Sequence, residues 1–219
     1  MPAPSVVVFD VNETLSDLSP LGDRFREVGL DASLAPLWFA SVLRDGFALT
    51  AAGATARFAD LGAEVLRSLL PSGADADRAT DHVLAAFMEL SLHPDVVPGI
   101  RALRAAGLRL VTMSNGSGAV AESLFAGTGV RDELEHLLSV EEAGVWKPAA
   151  GAYRFVAERC GVDVGDLVMV AVHPWDLDGA ARAGLRTAWV DRDGRPYPSY
   201  ATAPTWTVSS IEELADVLR

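Results

Sequence analysis

"VVVFDVNETL", residues 6–15, is the stretch on which the fold turns. Three valines and a phenylalanine run straight into Asp10, with Asn12 and Thr14 close behind. An unbroken apolar run of β-branched and aromatic residues fits a strand buried on both faces, the condition of a strand inside a parallel sheet. Asp10 then stands where that strand ends.

Further apolar runs repeat the pattern: "LRLVTMS" (108–114), "HLLSV" (136–140), "DLVMVAV" (166–172), "TAWV" (187–190) and "TWTV" (205–208). Helix-like stretches lie between them, at 98–107, 118–129, 149–161 and 176–184, several closing on glycine. Strand alternating with helix predicts an α/β sheet. Residues 16 to about 95 break the alternation. They hold helix-like segments at 35–53, 56–70 and 75–90 without a convincing strand, so a helical insertion after the first strand is expected, with "SLHPDVVPG" (91–99) as its return linker. The division expected is a core of 1–15 and 96–219 and an inserted domain of 16–95.

Composition narrows the partners. The 219 residues are half hydrophobic and carry a net charge of −12, with no basic run to meet nucleic acid or an anionic membrane. A single cysteine, Cys160, excludes an internal disulfide and reads as a buried thiol at a helix end. The first residues show neither the basic flank nor the apolar stretch of a secretory signal, and no run reaches membrane-spanning length. A cytoplasmic protein is expected.

In an open parallel sheet, ligands bind beyond the carboxyl ends of the strands. Four polar groups fall there: Asp10, Ser114 with Asn115, Lys147, and Asp176. Lys147 is the only lysine, the other 17 basic residues being arginine. A strand-end carboxylate serves as a nucleophile when a cation offsets its charge and water is excluded, and Lys147 could supply that cation. Singly, each group has a plainer reading. Ser114 and Asn115 suit a helix start, as caps or as an anion site; Asp176 suits an N-cap; Lys147 suits a solvated loop. The case for function is their arrival together.

The order "FDVNETL", "TMSNGS", "WKPAAGAY", "HPWDLDGA", with a helical insertion after the first, resembles the haloacid dehalogenase superfamily and, within it, the type II L-2-haloacid dehalogenases. The likeness spans nearly the whole chain. It implies a Rossmann-like core, its central parallel sheet flanked by helices, and an all-helical cap inserted after the first strand. It also implies a covalent mechanism on a 2-halo acid. Asp10 would displace halide with inversion, and water would hydrolyse the aspartyl ester. Lys147 would hold Asp10, Asp176 would orient Lys147 and help position water, and Thr14, Ser114 and Asn115 would bind carboxylate oxygens of nucleophile or substrate. Tyr153 would steady the lysine–aspartate network. Val11, Asn12, Phe39, His173 and Trp175 complete the expected substrate surroundings. The family's dimers make a homodimer an expectation, for which the stripe Leu37, Phe39, Val42, Leu43 and Phe47 would suit either an interface or the cap's own packing.

Asn12 stands where phosphatases of the superfamily resemble "DxD", and Val172 stands where they carry a further acid that helps hold Mg²⁺. With one strong carboxylate left, neither a metal nor another cofactor is expected. Halide leaves without a proton, whereas an alkoxide does not, so Asn12 points away from phosphomonoesters.

Two departures from the branch stand out. Trp38 and Gly53 keep a fifteen-residue spacing, but Phe39 occupies the place of a cap arginine. Arg44 lies roughly 140° round the helix from it. Arg24, Arg26 and Arg57 are the arginines left to reach the site. In "AVHPWD", His173 replaces a commoner asparagine; near neutrality it could activate the ester-cleaving water, or serve only as a backbone-bonded structural group. The other histidines, His82, His93 and His136, look unremarkable. Beside dehalogenation stand two alternatives: a phosphatase or other hydrolase on the same fold, and a binding protein that has lost turnover.

Overall fold

The computed structural model describes residues 4–218; residues 1–3 and 219, at the two ends of the expected core, lie outside them. In chain order the strands are β1 (Val6–Phe9), β2 (Ser16–Asp17), β3 (Ser91–Leu92), β4 (Arg109–Ser114), β5 (His136–Ser139), β6 (Leu167–Ala171), β7 (Arg186–Val190) and β8 (Trp206–Val208). The helices are α1 (Leu21–Glu27), α2 (Leu34–Ala51), α3 (Phe58–Leu69), α4 (Ala76–Ala85), α5 (Val96–Ala105), α6 (Gly118–Phe125), α7 (Val140–Ala143), α8 (Ala150–Cys160), α9 (Pro174–Ala183) and α10 (Leu214–Val217).

Six strands form one parallel sheet in the order β5-β4-β1-β6-β7-β8. β1 lies between β4 and β6, with Phe9 opposite both Thr112 and Val170, and every residue of β1 is buried. This is why the run 6–9 lacks alternation: both faces of the strand are covered. The chain builds outward from β1 through β4 to β5, then returns to β1's other side for β6, β7 and β8. The switch point is therefore the gap between the ends of β1 and β6, where a crevice opens in such sheets.

Helices α1 to α4 form the inserted block. Trp38 of α2 is its fully buried centre, with its indole N–H on the Gly62 carbonyl (2.9 Å) and its ring 5.8 Å from Phe25 and 5.9 Å from Phe87. The apolar patterns of 16–95 show no convincing strand and do not mark α1. The structure corrects both: β2 and β3 pair antiparallel where the chain leaves and re-enters the core, through Ser16–Leu92 and Asp17–Ser91. Strands of two residues carry no periodicity to read. The apolar stripe on α2 is spent largely inside the chain. Phe39, Val42 and Leu43 are buried, Phe47 packs 4.9 Å from the Trp175 ring, and only Leu37 is exposed. Among the described residues no helix is long and apolar enough to cross a membrane.

Trp146 pins this block to the core. Its ring stacks 6.3 Å from Phe58, its indole N–H donates to the Ala56 carbonyl (2.9 Å), and it fills the place a side chain on Gly46 would take, since a Cβ there would stand 2.4 Å from the ring. The residue that follows it is Lys147.

Candidate active site

Asp10 ends β1 at the switch point, its N–H bonded to the Val170 carbonyl of β6 (3.0 Å). The chain then turns sharply. Val11 is buried and its carbonyl accepts from the N–H groups of Leu15 (2.9 Å) and Ser16 (3.0 Å), while Glu13 takes a left-handed conformation, φ +64°, rare for a residue with a Cβ. The turn brings Thr14 back over Asp10. Its hydroxyl accepts from the Val172 N–H (3.1 Å) and so directs its own proton onto Asp10 Oδ2 (2.7 Å).

Lys147 reaches the other oxygen. Its Nζ lies 2.8 Å from Asp10 Oδ1 and 2.6 Å from Asp176 Oδ2, and the side chain is wholly buried. The loop carrying it is clamped by Asn115, whose Oδ1 accepts from the Lys147 N–H (3.0 Å) and whose Nδ2 donates to the Lys147 carbonyl (3.2 Å). Tyr153 of α8 donates to Asp176 Oδ1 (2.7 Å) and lies 2.9 Å from the Asp176 carbonyl. A lysine between two carboxylates, with each partner hydrogen-bonded in turn, meets the conditions under which a buried charge is tolerable.

His173 adds a second cation. Its Nδ1 lies 3.1 Å from Asp10 Oδ2 and its Nε2 lies 2.7 Å from Glu13 Oε2. Burial disfavours the imidazolium, but the bonds to Asp10 and Glu13 outweigh it, and the His173 pKa is pushed up to about 9. Burial likewise works to raise the Asp10 carboxyl; the Lys147 charge and His173 overcome it and hold Asp10 far below the usual carboxylate range. Asp176 goes the other way, raised by burial, with the charge of Asp10 opposing its ionisation. Lys147 stays raised because its two carboxylates exceed the cost of burial, and burial pushes the Tyr153 phenol well up.

Several sequence expectations change here. Asp176 is no N-cap: His173 is the N-cap of α9, Pro174 follows it, and Asp176 points inward one turn on. Ser114 and Asn115 do not open a helix, since α6 begins at Gly118 with the Ser117 hydroxyl accepting from Val120 N–H. Among the described residues neither hydrogen-bonds Asp10: Ser114 Oγ accepts from the Gly116 N–H (2.9 Å) and Asn115 holds Lys147. His173 is no neutral residue at rest. None of the arginines expected to reach the site does so. Arg24 pairs with Glu27 and Glu89, Arg26 with Asp23, and Arg57 with Asp60. Phe39 is buried, its ring 6.0 Å from Phe58. The Trp175 ring packs 5.2 Å from His173, with Lys147 Nζ 6.0 Å from its centre, and the Asn12 side-chain oxygen is buried without a hydrogen-bond partner.

A cavity of about 670 Å³ opens beside the site, lined by Glu13, Phe39, His93, His173, Trp189 and Arg192 among others. Among the described residues, Asp10 and Lys147 do not line it; His173 stands between, one ring nitrogen on Asp10. Four of these residues, Glu13, His93, Trp189 and Arg192, are not among the residues expected at the site. Glu13 lacked any pattern to mark it. His93 bonds the Glu13 carbonyl (3.1 Å), and Arg192 is held by Asp95 (2.9 Å) and the Thr14 carbonyl (3.0 Å), contacts between residues far apart in the chain.

A parallel sheet with acid, lysine and acid gathered at its switch point, beside a helical insertion, defines a capped α/β enzyme with a strand-end aspartate. The family model for haloacid dehalogenase-like hydrolases matches residues 4–184, and the chain belongs to that family. It is 31% identical to (S)-2-haloacid dehalogenase 4A of Burkholderia cepacia over 96% of this chain and 93% of that one. A solved L-2-haloacid dehalogenase superposes with a TM-score of 0.90 at 27% identity, covering 99% of each chain. A dehalogenase solved with an intermediate complex superposes at 0.87 and 27% identity, covering 99% of this chain and 98% of that one.

Proposed function

We propose that this protein hydrolyses the carbon–halogen bond of short 2-haloalkanoic acids through an ester on Asp10, without a metal, beneath a cap formed by residues 16–95. The observation that carries the reading is Lys147, buried between Asp10 and Asp176 at 2.8 and 2.6 Å. The similarity to (S)-2-haloacid dehalogenases supports the substrate class.

The chemistry follows from the charges. Asp10 is ionised across the physiological range and is held on both oxygens, by Lys147 on Oδ1 and by Thr14 and His173 on Oδ2. A fixed, buried carboxylate attacks the halogen-bearing carbon from behind; the carbon–halogen bond breaks, and halide leaves with its electron pair and without a proton. Water then adds to the ester carbonyl carbon, and the 2-hydroxy acid departs as Asp10 is restored. Asp176 and Tyr153 keep the lysine aimed through both steps.

The residues do not fit a Mg²⁺ site. Such an ion needs carboxylate oxygens, yet Asn12 and Val172 stand at the positions of the missing acids, and ammonium and imidazolium already hold Asp10. Among the described residues no group of three or more His, Cys, Asp or Glu is placed to hold a metal.

Halide release from chloro-, bromo- and fluoroacetate and from 2-halopropionates, assayed with and without chelator, tests the proposal. Release that survives chelation and disappears in Asp10→Ala is expected. Wild-type protein inert towards all of these acids, or active only with added Mg²⁺, would overturn it.

A further inference from the structure

We infer that His173, oriented by Glu13, is the general base that brings a cavity water onto the Asp10 ester, an assignment that rests on the dehalogenation proposed above. Three observations converge on it. The ring bridges two carboxylates, Nδ1 to Asp10 at 3.1 Å and Nε2 to Glu13 at 2.7 Å. The same ring, together with Glu13, lines the cavity that stops short of Asp10. And Glu13 is held in a left-handed conformation, its carbonyl on His93 Nε2, a costly backbone state that persists only where its surroundings enforce it.

The other groups near Asp10 are poorly suited to this task. Lys147 is committed to two carboxylates and carries no lone pair while protonated. Asp176 is wholly buried, bonded to Lys147 and Tyr153, and does not line the cavity. Among the described residues that line the cavity, His173 is the one hydrogen-bonded to the Asp10 carboxylate.

At rest His173 is an imidazolium and cannot accept a proton. Ester formation changes that, because alkylation removes the Asp10 charge and leaves Glu13 as the only carboxylate on the ring. The proton on Nδ1 is then released to cavity water, while Glu13 keeps Nε2–H in place. Water adds its oxygen to the Asp10 Cγ, one of its protons passes to Nδ1, and the carbonyl electron pair moves onto oxygen. Collapse breaks the bond from Cγ to the ester oxygen; the departing alkoxide takes the remaining proton of the added water, giving the 2-hydroxy acid, the Asp10 carboxylate and the imidazolium. One proton and one halide are released per turnover. The charged groups around His173 are Asp10 and Glu13 at its nitrogens, Lys147 and Asp176 behind Asp10, and, lining the same cavity, Asp17, His93, Asp191, Arg192, Asp193 and Arg195; its ring face packs on Trp175.

Rapid-quench halide measurement with bromoacetate, paired with mass spectrometry of the peptide bearing Asp10, separates the two chemical steps. Wild-type protein turns over repeatedly. His173→Asn is expected to release about one bromide per chain, stall with the ester on Asp10, and hydrolyse it ~10²-fold slower or worse. Glu13→Gln is expected to slow the same step by less and to shift the pH midpoint of ester hydrolysis downward, leaving the bromide burst intact. Repeated turnover by His173→Asn without ester accumulation overturns the assignment; since the ring also holds Asp10 Oδ2, a folded His173→Asn that loses the burst passes the decision to Glu13→Gln. Should His173→Asn fail to fold, Glu13→Gln decides, since an unchanged rate and pH profile of ester hydrolysis overturns it. Wild-type protein that yields neither bromide nor ester overturns the dehalogenation reading as well, a result distinct from the others.

Discussion

Gly179 lies against Pro148 so closely that a Cβ on it would stand 2.5 Å from the proline Cβ and 2.7 Å from its carbonyl oxygen. This contact seats α9 on the loop of Lys147 and lets Asp176, three residues before Gly179, reach the lysine. The same added carbon would lie 2.9 Å from the Tyr153 hydroxyl. Gly179→Ala is therefore expected to cost about 1–3 kcal/mol and to depress halide release by spreading Asp176 from Lys147. Denaturant unfolding measured alongside halide release checks both.

Lys147→Met leaves two buried carboxylates without their shared cation. One of them must then take up a proton, and the loss in stability is expected to be about 3–5 kcal/mol. Halide release should fall to background. Chemical denaturation at pH 7 and at pH 5 shows the difference, because the variant recovers relative stability as the carboxylates protonate.

Thr14→Val removes the hydroxyl between Val172 N–H and Asp10 Oδ2 while keeping its volume. A buried N–H and a carboxylate oxygen each lose a partner, for an expected cost of about 1–3 kcal/mol. The Asp10 carboxyl should titrate higher than in the wild type, which NMR titration of a labelled aspartate would detect.

The pH dependence of stability carries the mark of His173. Its pKa rises from 6.5 to about 9 on folding, so its contribution is fully present below pH 6.5 and is lost as the pH climbs through about 9. Unfolding free energy should decline over that window by up to about 3 kcal/mol, and His173→Gln should flatten the decline. Asp10 acts at the other end: depressed on folding, it contributes above its ordinary value of 3.8 and loses that contribution as acid drives it to protonate. Unfolding curves between pH 5 and pH 10 test the histidine's share.

Much of the architecture was legible because burial writes itself into composition. Residues 6–9 and 167–171 are continuous apolar runs because each strand has neighbours on both sides and layers on both faces. The helical block after β1 was legible for the same reason, through segments long enough to show a repeat; β2, β3 and α1 were too short. The family likeness drew attention to Asp10, Lys147, Asp176 and Tyr153. It also implied partners for them, Lys147 for Asp10 and Asp176 for Lys147, but not the contacts of the residues around them. Asn115 and Ser114 turned out to bond backbone groups, and the arginines of the cap turned out to pair with neighbouring acids.

By itself, then, the order of residues determined an α/β sheet, a helical insertion, and an aspartate at the end of the first strand, since these depend on local runs of hydrophobicity and on where they stop. Tertiary structure alone decided the partnership of Glu13, His173 and Asp10. Residues 13 and 173 are 160 positions apart, and only the pairing of β1 with β6 brings their side chains within a hydrogen bond. The charge of His173 is set the same way: an imidazole takes its pKa from the carboxylates around it in space, and no stretch of sequence contains both.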